Sequence, residues 1–159
     1  MASIAENLQL VRERIARGCH DARRPAQSVT LLAVSKTFGA TQVREAFAAG
    51  QRDFGENYVQ EALAKMAALA DLRDAIGWHL IGPLQSNKTR EVAEHFDWVQ
   101  SVDREKIARR LSEQRPASMP SLQLCLQVNI DDEDSKSGCT LAGLPALVRA
   151  VMVLPRLQL

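Results

Sequence analysis

The chain has 159 residues, of which 46% are hydrophobic and 25% are charged, and its formal net charge is +1. This balance is typical of a globular protein, and it excludes a field strong enough to attract nucleic acid or an acidic membrane. Cys19, Cys125 and Cys139 match no disulfide or zinc spacing, which favours a reducing cytoplasm. No apolar stretch has the length of a membrane span, and the charged N-terminus is not typical of a signal peptide.

The first predicted element is a helix over about residues 3–24, where Ser3 and Glu6 have the spacing of a capping box. A short apolar run over 29–34 then predicts a buried strand, and Thr41 is expected to cap the helix that follows. Further strands are predicted at 52–57, 77–82, 98–102 and 122–130, and further helices at 58–72, 88–96, 104–114 and after Thr140. The last residues predict the beginning of another strand.

Strands that alternate with helices predict an α/β fold in which the helices connect parallel strands. The continuously apolar strands agree, because a parallel sheet is covered on both faces. With no repeat and no linker, residues 1–159 are predicted to form one domain. The residues alone leave two architectures open, an open doubly wound sheet or the first part of a (β/α)8 barrel. In both, functional groups lie where strands end, which singles out Lys36, Asn57 and the segments after Gly82 and Asn129.

Lys36 ends the apolar run "LLAVSK". An amine is a nucleophile only when it is deprotonated, and loss of water at the mouth of an apolar strand favours that form. A lysine prepared in this way can form a Schiff base with an aldehyde. The alternative is that Lys36 simply begins a solvated loop.

Two loops suggest phosphate or metal binding less directly. "GPLQSNKT" at 82–89 misses the phosphate-loop pattern because Asn87 replaces its second glycine, so a nucleotide site competes with a simple helix-entry loop. "NIDDEDSKSG" at 129–138 fails the calcium pattern because Lys136 occupies a ligand position. It is either a solvated acidic loop or one that offers Lys136 as a counter-charge to a phosphate.

The remaining polar residues point to no catalytic centre. His20, His79 and His95 lie too far apart in the sequence to predict a metal site, and His79, inside a strand, is expected in the core or lining a pocket. We find no Ser-His-Asp or Cys-His arrangement, and no aromatic residues interleaved with basic ones as in a nucleic-acid interface. No catalytic residue is therefore assigned.

Four segments carry a resemblance to a known family: "LLAVSKT" (31–37), "RDFGENYVQEA" (52–62), "WHLIGPLQSNKTREVAEHFDWVQSVD" (78–103) and "VNIDDEDSKSG" (128–138). Together they closely resemble the pyridoxal phosphate homeostasis proteins, the YggS/PROSC family, and the resemblance covers nearly the whole chain. It implies a (β/α)8 TIM barrel of the alanine-racemase N-terminal type, truncated here to about five βα units. It also implies a cytoplasmic, non-catalytic protein that holds pyridoxal 5'-phosphate as an aldimine on Lys36.

Carried over motif by motif, the resemblance implies that Asn57 and Ile81 line the cofactor. His79 is expected to face the same pocket, and Lys136 to approach the phosphate. The implied partners are the cofactor itself and pyridoxal-phosphate-dependent apoenzymes, and the full-length form is expected to be a monomer. The runner-up is an amino-acid racemase, but its second base is a tyrosine from another domain, and Tyr58 is expected to pack beside the pocket instead.

The resemblance also implies that this chain corresponds to about the first two-thirds of the family's barrel. The family's main phosphate-binding residues, and an arginine near the pyridine ring, lie beyond that part. Uncovered apolar surface and open strand edges are costly relative to ordinary folding stabilities. We therefore expect the 159 residues alone to be unstable or to aggregate, and the function to belong to the full-length form.

Overall fold

The computed structural model describes residues 2–131, 133 and 135–159, and within them helices alternate with strands. The helices are α1 (Ile4–Asp21), α2 (Ala40–Ala48), α3 (Val59–Ala68), α4 (Thr89–His95), α5 (Glu105–Gln114) and α6 (Leu144–Met152). The strands are β1 (Leu32–Val34), β2 (Asp53–Glu56), β3 (Gly77–Leu80), β4 (Trp98–Val102), β5 (Leu122–Leu126) and β6 (Leu157–Gln158). The predicted alternation is confirmed, and the expected further strand is β6.

All six strands run parallel and form one sheet in the order β1-β2-β3-β4-β5-β6. A doubly wound sheet reverses its strand order at a switch point, whereas a barrel wall adds each strand beside the previous one. The sequential order therefore decides between the two architectures in favour of a (β/α)8-type barrel wall. β1 and β6 are the outer strands among the described residues.

The register divides the side chains of the sheet into two faces. Phe54 pairs with Ala33 and with Trp78, and both aromatic side chains are 1% exposed against the helices. We call this side the helix face. Because successive side chains of a strand alternate, Gly55 and His79 lie on the opposite side, which we call the inner face.

The apolar core lies between the helix face and the helices. Its members from the helices include Val43, Ala62, Met66, Val92, Ile107, Leu111, Leu147 and Val151. Burying a valine, leucine, isoleucine or methionine side chain stabilises the fold by about 1.5–3 kcal/mol. The packing of the core therefore fixes the position of each strand along its own direction, and with it the place where each strand ends. Among the described residues, no helix is long and apolar enough to cross a membrane.

Several boundaries differ from the predictions, two of them at local hydrogen bonds. α1 does have the capping box of Ser3 and Glu6. α2, however, begins after Gly39 rather than at a Thr41 cap, and the Gly39 N–H donates to Gln42 Oε1 at 3.1 Å. The helix predicted at 104–114 begins one residue later, at Glu105, and the preceding Arg104 donates through its guanidinium to the Asp103 carboxylate at 2.6 Å. β1, α3 and β5 are also shorter than predicted.

Candidate functional site

The predicted site residues Lys36, Asn57 and Ile81 follow the ends of neighbouring strands. Lys36 comes two residues after β1, Asn57 directly after β2, and Ile81 directly after β3. Because these strands are adjacent and parallel, their carboxyl ends meet at one edge of the sheet. The fold therefore brings these three predicted residues to a common edge.

The environment of Lys36 differs from the expectation. Its side chain is exposed, so the prediction of a dry amine at the strand mouth is wrong for this structure. The reason is the position of β1, which is an outer strand with a neighbour on one side only, so that Val34 is also 48% exposed. Lys36 is thus an accessible amine at the edge where Asn57 and Ile81 lie.

Lys36 occupies a tight turn that follows β1. The Phe38 N–H donates to the Ser35 carbonyl oxygen at 3.1 Å and closes the turn. Thr37 has a φ of 67°, in the left-handed region that a β-branched residue rarely adopts. Such backbone persists only where surrounding contacts hold it, and it is common at functional sites.

A buried ion pair lies directly beneath this turn. Glu56 in β2 is 0% exposed and Lys65 in α3 is 5% exposed. Lys65 Nζ lies 2.8 Å from Glu56 Oε1 and 3.0 Å from Oε2, and it donates to the Ser35 carbonyl oxygen at 2.6 Å. The Ser35 hydroxyl donates to Glu56 Oε1 at 2.6 Å. Every charge in this pair therefore has a partner within the protein.

Glu61 extends the buried pair to the other side of the turn. Its carboxylate lies 2.7 Å from Lys65 Nζ and accepts from the Thr37 N–H at 2.7 Å. The hydrogen bonds from Lys65 and Thr37 lower the pKa of Glu61 below its usual range. Glu56, Glu61 and Lys65 were not predicted from the sequence. Their one signal was the spacing of Glu61 and Lys65, an i,i+4 pair on a predicted helix.

His79 lies deeper in the site, on the inner face of β3, and is 7% exposed. Its ring stacks on Trp98 with centroids 5.3 Å apart. Gln100 Nε2 lies 3.0 Å from Nδ1, and Asp53 Oδ1 lies 3.2 Å from Nε2. Because the amide nitrogen of Gln100 can only donate, Nδ1 accepts and Nε2 carries the proton that bonds Asp53. Burial lowers the pKa of His79, although Asp53 opposes that shift.

Two glycines shape the wall beside Asn57 and Ile81. A Cβ on Gly82 would lie 2.8 Å from Asn57 Cα, so only glycine lets the loop after β3 pack on Asn57. A Cβ on Gly55 would lie 3.1 Å from Ile81 Cδ1 and 3.4 Å from Leu32 Cδ2. On the inner face between β1 and β3, the apolar side chain of Ile81 therefore lies directly over the backbone of Gly55.

Lys136 lies in the loop after β5, at the same edge of the sheet. Its side chain is exposed, and its N–H donates to the Glu133 carbonyl oxygen at 3.0 Å. Asn129 closes the base of this loop through a hydrogen bond from its N–H to the Cys139 carbonyl oxygen at 2.9 Å. Asp132 and Asp134 of the predicted acidic loop lie outside the described residues.

The phosphate-loop-like segment 82–89 is occupied by contacts within the protein. Ser86–Lys88 form a 3-10 turn. The Thr89 hydroxyl, which would bind magnesium in a phosphate loop, donates to the Ser86 carbonyl oxygen and accepts from Arg110 Nε at 3.1 Å. Lys88 Nζ lies 3.4 Å from Glu91 Oε2. These contacts favour the helix-entry loop over a nucleotide site.

The groups at this edge include the chemical types that bind a phosphorylated aromatic aldehyde. Lys36 offers an accessible primary amine, a group that condenses with aldehydes, and Ile81 offers an apolar side chain. Asn57 supplies an amide that can donate and accept. Lys136 adds an exposed positive charge on the loop after β5, four strands along the sheet from β1.

Comparison with known proteins agrees with this chemistry. The family model for the alanine racemase N-terminal domain matches residues 1–159. The pyridoxal phosphate homeostasis protein of Pseudomonas aeruginosa is 62% identical over 159 residues, which are 100% of this chain and 68% of that relative. The protein of the same name from Escherichia coli K12 is 52% identical over 160 residues and is covered to the same 68%.

Solved structures give the same picture. PipY of Synechococcus elongatus with pyridoxal phosphate bound matches with a TM-score of 0.83 and 44% identity, over 99% of this chain and 68% of that one. Alanine racemase from Corynebacterium glutamicum matches with a TM-score of 0.66 at 15% identity, over 98% of this chain and 41% of that one, which shows the fold alone. The chain therefore belongs to the alanine racemase N-terminal domain family and, within it, to the pyridoxal phosphate homeostasis proteins.

Proposed function

We propose that the protein binds pyridoxal 5'-phosphate covalently through Lys36 and acts in the homeostasis of that cofactor. The observation that carries the proposal is the accessible amine of Lys36 at the strand edge it shares with Asn57 and Ile81. The cofactor bound by PipY, 44% identical over 99% of this chain, supports the same ligand here. In the proposed reaction the amine adds to the aldehyde carbon and water is lost, which leaves a carbon–nitrogen double bond.

The other predicted residues have subordinate roles in this proposal. Asn57 and Ile81 line the cofactor, and Lys136 approaches its phosphate. His79 lies beneath the edge and, with both ring nitrogens engaged by Asp53 and Gln100, supports the floor of the pocket without transferring a proton.

The proposed role is storage and delivery in the cytoplasm, by a form that is monomeric when full-length. Pyridoxal-phosphate-dependent apoenzymes would receive the cofactor. Mixing the loaded protein with such an apoenzyme and following the return of its activity tests this delivery. Reactivation no faster than with an equal concentration of free cofactor would argue against it.

The attachment is tested by the visible spectrum of the full-length form with pyridoxal phosphate, before and after borohydride reduction. We expect an imine band that borohydride removes, and a reduced cofactor on the peptide that contains Lys36. Lys36→Ala should lose both signals, whereas Lys106→Ala, which removes an exposed lysine from α5, should keep them. A band that persists in Lys36→Ala would place the attachment elsewhere.

We further propose that the protein does not turn over amino acids. Tyr58, the tyrosine beside Asn57, is 60% exposed at the start of α3, where it borders the edge of the sheet. Chiral analysis of alanine and serine incubated with the loaded full-length form tests this proposal. Sustained racemisation would overturn it in favour of a racemase.

A further inference from the structure

The turn that carries Lys36 is held from the helix face by five residues, Ser35, Thr37, Glu56, Glu61 and Lys65, which we call the Lys65 cluster. Ser35 and Thr37 flank Lys36 in the chain. Each of them makes a hydrogen bond of 2.6–2.7 Å to a charged member of the cluster. The cluster thus makes hydrogen bonds to the backbone on both sides of the proposed attachment point.

The burial of this cluster calls for a reason beyond stability. Lys65 and Glu56 are at most 5% exposed. Removing two charges from water is costly, and apolar side chains of similar volume often stabilise a fold equally well or better. A buried pair of this kind is instead suited to specifying one conformation of the groups it touches.

The contacts of the cluster end on the backbone atoms that define the turn. Lys65 donates to the Ser35 carbonyl oxygen, the same atom that accepts the Phe38 N–H and closes the turn. Glu61 accepts the N–H of Thr37, whose φ of 67° is unfavourable for threonine. The cluster therefore stabilises a strained backbone conformation at this turn.

We propose that Lys65, Glu56 and Glu61 are positioning residues for Lys36. This proposal rests on the proposed function. The three residues act through the backbone of Ser35 and Thr37 and hold the Lys36 amine where an aldehyde at the strand edge can reach it. A group held near its attack position reacts faster than one that samples many positions. Loss of the cluster therefore slows attachment at Lys36 while the fold persists.

Two variants test the proposal without leaving a buried charge unpaired. Glu61→Ala removes the contact to Thr37 at a position whose side chain is 33% exposed, and alanine is a good helix former. Glu56→Leu combined with Lys65→Met removes both buried charges together and fills their space with apolar side chains. The matched control is Glu105→Ala, which removes an exposed glutamate that pairs with Arg109 on α5.

The first readout is hydrogen–deuterium exchange of the Thr37 amide in the cofactor-free, full-length form. Loss of this hydrogen bond in Glu61→Ala should speed exchange by about tenfold or more. Glu61→Gln keeps a side-chain oxygen that can accept the Thr37 N–H, so it should restore most of the protection. Glu105→Ala should leave exchange at Thr37 unchanged.

The second readout is the rate at which pyridoxal phosphate becomes trapped on Lys36 by borohydride, measured by peptide mass. Glu61→Ala and the double variant should both be slowed by about tenfold, the change expected when one charge-assisted hydrogen bond is lost. Circular dichroism should show the fold of the unsubstituted protein in both variants.

The outcomes separate this proposal from the one on which it rests. If the unsubstituted protein is not labelled at Lys36, the proposed attachment fails and the positioning role fails with it. If the unsubstituted protein is labelled and both variants are labelled at the same rate, the attachment stands and the positioning role alone is overturned. Slow labelling in the variants but not in Glu105→Ala supports the role.

Discussion

His79 lies parallel to Trp98, with the two ring planes inclined by 6° and the ring centroids 5.3 Å apart. The stack closes one side of the imidazole, while Asp53 and Gln100 bond its two nitrogens. Protonation would force Nδ1 to give up the hydrogen bond that it accepts from Gln100. The neutral ring is therefore the form that the folded protein prefers.

This preference predicts a loss of stability at acidic pH. Burial lowers the pKa of His79 from its ordinary value of 6.5, so below pH 6.5 the unfolded chain binds more protons here than the folded one. The free energy of unfolding should fall as the pH drops from 6.5 through the lowered pKa, and level off below it. Urea denaturation of the full-length form across this range measures the effect.

The matched comparison uses a second histidine. His79→Gln should remove most of this pH dependence, whereas His20→Gln, at an exposed position near the end of α1, should preserve it. An equal slope in His79→Gln and in the unsubstituted protein would contradict the assignment.

Arg115 is predicted to be important for stability although it lies far from the site. Its side chain is 2% exposed and donates to the carbonyl oxygens of Ala93, Phe96 and Pro120 at 2.7–2.8 Å. Arg115→Met leaves these carbonyls without a donor, and we expect a loss of about 3 kcal/mol in the free energy of unfolding.

The control for Arg115 is an arginine on the surface. Arg109→Met removes an exposed ion pair with Glu105 and should cost less than about 1 kcal/mol. Urea midpoints for the two variants give the comparison. Equal costs would show that the buried hydrogen bonds of Arg115 contribute no more than a surface pair.

Two glycine substitutions are predicted to have opposite signs. A Cβ at Gly82 would lie 2.8 Å from Asn57 Cα, so Gly82→Ala should destabilise the protein by about 1–3 kcal/mol and displace Asn57. At Gly18, inside α1, a Cβ would meet nothing within 4 Å. Gly18→Ala should therefore stabilise the protein by about 0.5–1 kcal/mol. Thermal melts that shift in the same direction for both variants would contradict this reasoning.

The 159 residues by themselves are predicted to associate or to unfold readily. β1 is an outer strand of the described sheet, and Val34 on its inner face is 48% exposed. Open strand edges pair with other chains. Sedimentation velocity with a thermal melt tests the prediction, and a monomer that melts cooperatively would refute it.

The alternation of elements could be predicted because it depends on local patterns. The helical spacing of apolar residues in α1 and the apolar runs of β3 and β5 are visible in the sequence. The order of the strands could not be derived from these patterns, because both parallel architectures share them. The pairing of the strands in the folded sheet decides their order, and the resemblance to a family predicted that order.

Part of the site could be predicted for the same reason. In a parallel sheet, residues that follow strands meet at one edge, which predicted the meeting of Lys36 and Asn57, whereas Ile81 was expected there only from the family resemblance. The exposure of Lys36 depends on the neighbours of β1, which the local sequence does not contain. The burial of Glu56 and Lys65 could not be predicted either, because charged residues are rarely buried and the sequence around these two gives no reason to expect it.

Among the described residues, the apolar core lies between the helix face of the sheet and the helices. Gln123, on the inner face of β5, does not belong to that core. Substitutions at such inner-face positions can change the size and polarity of the side chains there without opening a void in the core. The scaffold is therefore suited to redesign for other small molecules at inner-face positions other than His79, whose ring is stacked on Trp98 and bonded by Asp53 and Gln100.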